Sequence, residues 1–110
     1  MTKTKLLAYL LALVFLLSGA TKMAGMEFEI QAFEHWGYPT WFMYLSGVVE
    51  IAGAIGLLIP RISALTAACL ALFMSGAVGT HLIHSEWLMS YIAASIMVAA
   101  GLRAWEDLKN

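Results

Sequence analysis

The stretch Trp41-Phe42-Met43-Tyr44-Leu45-Ser46-Gly47-Val48-Val49-Glu50-Ile51-Ala52-Gly53-Ala54-Ile55-Gly56-Leu57-Leu58-Ile59 decides the fold. It carries one charge, Glu50, near its middle, and Pro60-Arg61 closes it. A helix that crosses a bilayer needs about 20 predominantly apolar residues, and this run supplies them. Backbone groups in hydrocarbon must be satisfied within the segment, so the run reads as a helix. A carboxylate at that depth costs roughly 2.5 to 3.5 kcal/mol unless it is paired, protonated or wetted. Glu50 therefore marks a site, although it names no reaction.

Composition extends this reading to the whole chain. Of its 110 residues 62% are hydrophobic and only 12% are charged. A soluble domain carries about 25% charged residues, because something polar must cover its surface. Here the solvent must be lipid. The net charge of -1 gives no basic footprint for nucleic acid. The single cysteine, Cys69, excludes an intramolecular disulfide and a thiolate metal cluster, and it reads as a small packing residue.

Four apolar spans emerge, at about 6–24, 41–59, 62–83 and 87–102, and they form a single integral membrane domain over 1–110. The expected fold is all-α: a four-transmembrane-helix bundle with a short amphipathic outer segment between the first two spans. The start of the chain has a rival reading. Lys3, Lys5, an apolar core and Ser18-Gly19-Ala20 resemble a cleavable signal peptide, but the run is long for one and three spans follow it.

Basic residues set the expected orientation. Lys3, Lys5, Arg61, Arg103 and Lys109 fall on one side and Lys22 on the other, which puts both termini in the cytoplasm. Trp36, Trp41, Trp87 and Trp105 lie at or near span ends, where amphipathic rings prefer the interface. The tight Pro60-Arg61 turn makes the second and third spans antiparallel neighbours. In the outer loop, Phe28, Ala32, Phe33 and Trp36 recur at helical spacing opposite Glu27, Gln31 and Glu34. That pattern predicts a short helix on the membrane surface, broken by Gly37-Tyr38-Pro39. A faint echo links Ser18-Gly19-Ala20-Thr21-Lys22 with Ser75-Gly76-Ala77 and Thr80-His81, as a duplicated hairpin would, though the spacings differ.

Helical spacing decides which way Glu50 faces. Met43, Ser46, Gly47, Glu50, Gly53 and Ala54 share one side, with Leu45, Val48, Ala52, Ile55 and Ile59 largely on the other. Small residues beside the carboxylate let a neighbouring backbone approach, so Glu50 points into the bundle. On the first span Ala8, Ala12, Phe15, Ser18, Gly19 and Lys22 align in the same way. At 1.5 Å per residue, Glu50 lies roughly 13 Å below Trp41 and Lys22 roughly 25 Å above Lys5, a vertical gap on the order of 10 Å. Side chains lean toward their helix N-terminus, so Lys22 and His81 lean down and Glu50 leans up. The three converge on a cavity in the outer half of the membrane, with direct contact or an intervening water or ligand equally compatible.

Other polar residues are weaker candidates for that cavity. Thr80 and His84 flank His81, His35 lies in the outer loop, and Tyr91 and Ser95 sit four apart on the last span. His81 and His84, with Glu86 or His35, have no recognised metal-ligand spacing, so no metal is assigned. The aromatic residues Trp36, Tyr38, Trp41, Phe42 and Tyr44 read as an interfacial belt. Lys22 with Glu50 reads either as a functional pair or as an ion pair that fixes helix register.

Phe15-Leu16-Leu17-Ser18-Gly19-Ala20-Thr21-Lys22-Met23, Gly37-Tyr38-Pro39, Gly47-Val48-Val49-Glu50-Ile51-Ala52-Gly53-Ala54, and Gly76-Ala77 with Thr80-His81 together resemble the DoxX-like membrane proteins. Lys22, Glu50 and His81 match recurrent polar positions of that family. The resemblance implies a four-helix bundle in the bacterial cytoplasmic membrane, where some members accompany quinone-linked redox complexes and distant relatives assist membrane-protein assembly. The chain has no haem, iron–sulfur or thiol signature, so a redox role needs a partner protein or an exogenous quinone. The leading expectation is a membrane subunit or small-molecule binding bundle. In its quinone version Lys22 or His81 donates to a ring carbonyl and Glu50 relays the proton. No catalytic residue is assigned. The partners expected are the lipid bilayer and a membrane or redox protein, or further copies of the chain. The alternative is a non-catalytic scaffold or assembly helper docking through Gly47, Gly53, Gly56 and the outer segment; a small transporter ranks last.

Overall fold

A computed structural model of the chain describes residues 3–109, with side chains over 5–106. Five helices follow one another: α1 (Lys3–Met23), α2 (Glu27–Trp36), α3 (Thr40–Leu57), α4 (Ser63–Ile83) and α5 (Trp87–Lys109). Among the described residues there is no strand, and α1, α3, α4 and α5 are each long and apolar enough to cross a membrane. The expected all-α architecture holds. The last helix runs on past the expected end at 102, because Arg103 does not stop it at a headgroup layer. Its side chain turns inward and donates to the Ser63 hydroxyl at 3.0 and 3.2 Å, and Ser63 in turn donates to the Leu57 carbonyl at 2.8 Å. Three elements are tied together there, at the turn that Pro60-Arg61 makes.

The four long helices pack as two pairs, α1 with α3 and α4 with α5, and the pairs join through α1 with α5 and α3 with α4. Small residues set the closest approaches. A Cβ at Gly47 would sit 3.1 Å from the Gly19 carbonyl, so α1 and α3 cross backbone against backbone. Farther along α3, Gly53 receives Leu70 and Gly56 receives Thr66, both from α4. In lipid there is little hydrophobic drive between helices, and such close packing supplies the association. Gly47, Gly53 and Gly56 are therefore filled from within and are not the docking face that a scaffold would present.

Phe15, Leu57, Leu70, Ala67 and Ala100 are buried at the centre, while Leu10, Leu13, Leu16 and Leu65 are exposed on the outside. That inside-out distribution of leucine is unsuited to water and suits acyl chains. Cys69 is exposed on α4 and does not pack in the core as expected. Connectivity places Lys5, Arg61 and Arg103 at one end of the bundle and Lys22 toward the other. The side chains of Lys3 and Lys109, which entered the orientation argument, lie outside the described range.

Two glycines with left-handed backbone put α2 in place. Gly25 (φ +64°) ends α1, with the Met26 N–H donating to the Thr21 carbonyl at 3.2 Å. Gly37 (φ +82°) ends α2, with the Tyr38 N–H donating to the Phe33 carbonyl at 2.9 Å. A residue with a Cβ pays a steric penalty at such φ, which is why glycine stands at both positions. Between them α2 folds back over the end of the bundle against α1 and α3. Its inward residues are Glu29 and Phe33, whereas Phe28 is exposed. The helix expected to float on the membrane surface is thus a cap over the bundle.

Candidate functional site

Beneath α2 the two helix pairs part and leave a cavity of about 760 Å³. All five helices contribute to its wall. Phe15 and Leu17 come from α1, Phe28 and Phe33 from α2, Met74 and Ala77 from α4, and Ile92 and Ile96 from α5. The polar lining is sparse and concentrated: Ser18, Thr21, Lys22, Glu29, Ser46 and Glu50 on one side, Thr80 and His81 on the other. A chamber of this size with a few convergent polar groups on apolar walls has the form of a small-molecule site.

Lys22 is the centre of the first group. Its ammonium lies 3.2 Å from Glu50 Oε1 and 3.3 Å from Glu29 Oε2, and it donates to Ser18 Oγ at 2.9 Å. Thr21 Oγ1 lies 2.6 Å from Glu29 Oε2 and 2.8 Å from the Ser18 carbonyl, and its one hydrogen serves these two acceptors between them. Lys22, Glu29 and Glu50 are all buried, at 9%, 8% and 4% exposure. The question whether Lys22 and Glu50 touch is answered by direct contact. An ammonium has three N–H groups, and three residues take them, so Lys22 is engaged by its own neighbours.

Glu29 was missed in the sequence, where the outer helix was divided into an apolar face and an acidic one. The signal was present: Glu29 precedes Phe33 by four residues and Trp36 by seven, which places it in the middle of the apolar face. An acid there must find a partner, and the Gly25 turn delivers it to Lys22.

The second group latches α2 to the α4–α5 turn. His81 Nδ1 lies 2.7 Å from Glu86 Oε1, and the Trp36 indole N–H donates to the same oxygen at 2.9 Å. The Trp36 and His81 rings meet edge to face at 5.2 Å. Tyr38 Oη lies 2.8 Å from Thr80 Oγ1; since Thr80 donates to the Gly76 carbonyl at 3.0 Å, Tyr38 is the donor to Thr80. Glu86, which stands in the turn outside the spans, is held below the ordinary carboxylate range, first by the His81 bond and also by the Trp36 bond. Desolvation works against that shift and does not overcome it.

The remaining expected residues sort as follows. His81 and Thr80 do line the cavity, but His81 does not touch Lys22 or Glu50. His84 Nδ1 donates to the Thr80 carbonyl at 2.8 Å, and its ring faces exposed His35 at 5.5 Å; neither lines the cavity. Tyr91 and Ser95 face away on the outer side of α5, where Ser95 donates to the Tyr91 carbonyl at 2.9 Å. Among the described residues no three His, Cys, Asp or Glu side chains are grouped to hold a metal. The aromatic residues divide: Trp41 and Tyr44 face outward, whereas Trp36, Tyr38 and Phe42 line the cavity around Phe33. The belt reading fails for those three because α2 brings them inward, with Tyr38 and Phe42 at 5.2 Å and Phe33 and Trp36 at 5.1 Å.

Comparison with known proteins gives a match to the family model described as DoxX-like over residues 6–104. The chain belongs to the DoxX-like family. It is also similar to the uncharacterized protein YdgD of Bacillus subtilis (strain 168), at 29% identity over 102 residues, covering 83% of this chain and 90% of that one. No solved structure matches the chain. Family membership and the four apolar helices make this DoxX-like chain a multi-pass membrane protein. The two echoing stretches, Ser18 to Lys22 and Ser75 to His81, lie at the cavity ends of α1 and α4, the first helices of their pairs.

Proposed function

We propose that this DoxX-like protein is a small-molecule binding membrane subunit, and that its ligand is a membrane-soluble aromatic molecule of the quinone and quinol class. The observation that carries the reading is one chamber with two contrasting parts, apolar and aromatic walls and a buried cluster of Lys22, Glu29 and Glu50. Apolar walls take a ring and its substituents from the lipid, and the charged cluster meets the polar head. One ammonium faces two carboxylates, so the cluster has a place for one proton. Glu50 relays a proton to and from the ligand, while Lys22 keeps the acids in position.

Electrons for any redox step come from a partner redox protein that docks in the bacterial cytoplasmic membrane, with both termini of this chain on the cytoplasmic side. A second copy of the chain is the other partner to look for. Native mass spectrometry of the purified protein should detect a co-purifying quinone, and Glu50→Gln membranes should bind added quinone or oxidise quinol less than wild type. Identical behaviour of Glu50→Gln and wild type would dismiss the proton-exchange role.

A further inference from the structure

Most polar groups around the cavity are already satisfied by the protein. Lys22 gives its three N–H groups to Ser18, Glu29 and Glu50, and the one Thr21 hydroxyl hydrogen is taken up between the Ser18 carbonyl and Glu29. Trp36 donates to Glu86, and Tyr38 donates to Thr80, which donates to Gly76. The Ser18 hydroxyl accepts from Lys22 and turns toward Glu50. These groups are held in place and are not offered to a guest.

Two lining groups differ. Ser46 is 4% exposed, stands one helical turn before Glu50 on α3, and its hydroxyl has no partner among the described residues. His81 is 8% exposed, and only its Nδ1 is bonded. An ionised carboxylate accepts and never donates, so in a neutral His81 the Glu86 bond puts the imidazole proton on Nδ1 and leaves Nε2 as a lone pair. Among the described residues no fully buried side-chain nitrogen or oxygen lacks a partner, so both atoms keep accessible surface at the cavity their residues line, where a guest can reach them. The lone pair of His81 asks for a donor, whereas the Ser46 hydroxyl can serve either way and does not discriminate.

We propose that His81 and Ser46 meet the head of the bound molecule, and that His81 selects a ring bearing hydroxyl donors, a quinol or phenol, over a ring bearing only carbonyl acceptors. The inference rests on the ligand-binding reading above and refines it by naming the favoured redox form. It also reverses the expectation that Lys22 or His81 donates to a carbonyl, because Lys22 has no N–H to give and neutral His81 has only an acceptor.

The test uses the full chain in lipid nanodiscs under anaerobic conditions at neutral pH. The probes are 2-decyl-1,4-benzoquinol, the corresponding quinone and the quinol dimethyl ether, each measured by equilibrium binding. The quinol should bind about tenfold tighter than the other two, which corresponds to about 1.4 kcal/mol. His81→Phe should bring that ratio toward one, whereas Ser46→Ala, a small change in a close-packed face, should weaken quinol and quinone alike and leave the ratio standing. A quinone that binds as tightly as the quinol, or a ratio unchanged in His81→Phe, overturns the inference while leaving the cavity a ligand site. Failure of all three probes to bind wild type removes the ligand-binding reading and this refinement together.

Discussion

Gly19 on α1 and Gly47 on α3 meet backbone to backbone, and the buried Lys22–Glu50 contact follows from that crossing. A methyl at Gly19 would lie 2.9 Å from the Gly47 carbonyl oxygen, and one at Gly47 3.1 Å from the Gly19 carbonyl. Lys22 and Glu50 each come three residues later on antiparallel helices, so their backbones separate by roughly 9 Å along the axis. Each side chain then leans back toward its own N-terminus, and the two tips close to 3.2 Å.

Gly47→Ala should therefore disturb both packing and site. The new methyl meets the Gly19 carbonyl and Lys22 Cβ, which cannot both yield, and overpacking of this kind costs about 1–3 kcal/mol. Gly76→Ala is the control, because a Cβ there meets nothing within 4 Å. Thermal unfolding in one detergent should rank Gly47→Ala clearly below wild type and Gly76→Ala level with it. Equal stability of the two variants would mean that the helices do not cross where the backbone contact lies.

Removing the cation should hurt more than removing one acid. Lys22→Met leaves Glu29 and Glu50 buried beside each other with no counter-charge, a loss of about 3–5 kcal/mol by comparison with other broken buried pairs. Glu50→Gln leaves Lys22 bonded to Ser18 and Glu29 and should lose less. Adding Glu29→Gln and Glu50→Gln to Lys22→Met should restore much of the lost stability, since no uncompensated charge remains. Denaturant titrations of the single and triple variants in the same micelle would settle the order.

The backbone of α3 could be read from its sequence because a membrane helix separates its faces by size as well as polarity. Ser46, Gly47, Glu50, Gly53 and Ala54 are buried as their spacing required, and Leu45, Val48 and Ile55 are exposed. Lys22 and Glu50 were legible for the same reason: an ion in hydrocarbon has few places to go. Glu29 was not, because its destination depends on the fold-back at Gly25, a tertiary event that periodicity does not report. The role of Glu86 was hidden likewise, since Trp36 and His81 reach it from two distant elements. Tyr91 and Ser95, weaker candidates for the cavity from their spacing alone, lie outside it, because Ser95 satisfies itself on its own helix and needs no cavity.

Gly37→Ala isolates backbone conformation from packing. A Cβ at Gly37 meets nothing within 4 Å, so the only penalty is the left-handed φ of +82°, about 1–2 kcal/mol for a residue with a side chain. The loss should appear as looser docking of α2, read as faster hydrogen exchange over 27–36, with α4 and α5 unchanged. Exchange that is unaltered in α2 would show that the Gly37 turn does not hold the cap.

Acid should release that cap at its other end. Glu86 is held below its ordinary value of 4.5 by the His81 bond first and the Trp36 bond after it. A carboxylate depressed in the folded state contributes stability that is fully present above its unfolded pKa and is lost as pH falls through the folded one. The latch should therefore hold at neutral pH, begin to weaken near 4.5, and open below it as Glu86 takes a proton and loses its charge-assisted bonds. Trp36 reports the event directly, because its indole N–H leaves Glu86 when the acid is neutralised. Trp36 emission, measured against a Trp36→Phe background to subtract Trp41, Trp87 and Trp105, should shift over that acid range in wild type. In Glu86→Gln the Trp36 signal should start near its acid-state value and stay flat, while His81, deprived of its carboxylate, should no longer hold a fixed tautomer in nitrogen-15 spectra. An acid transition in Trp36 that survives Glu86→Gln would place the titrating group elsewhere.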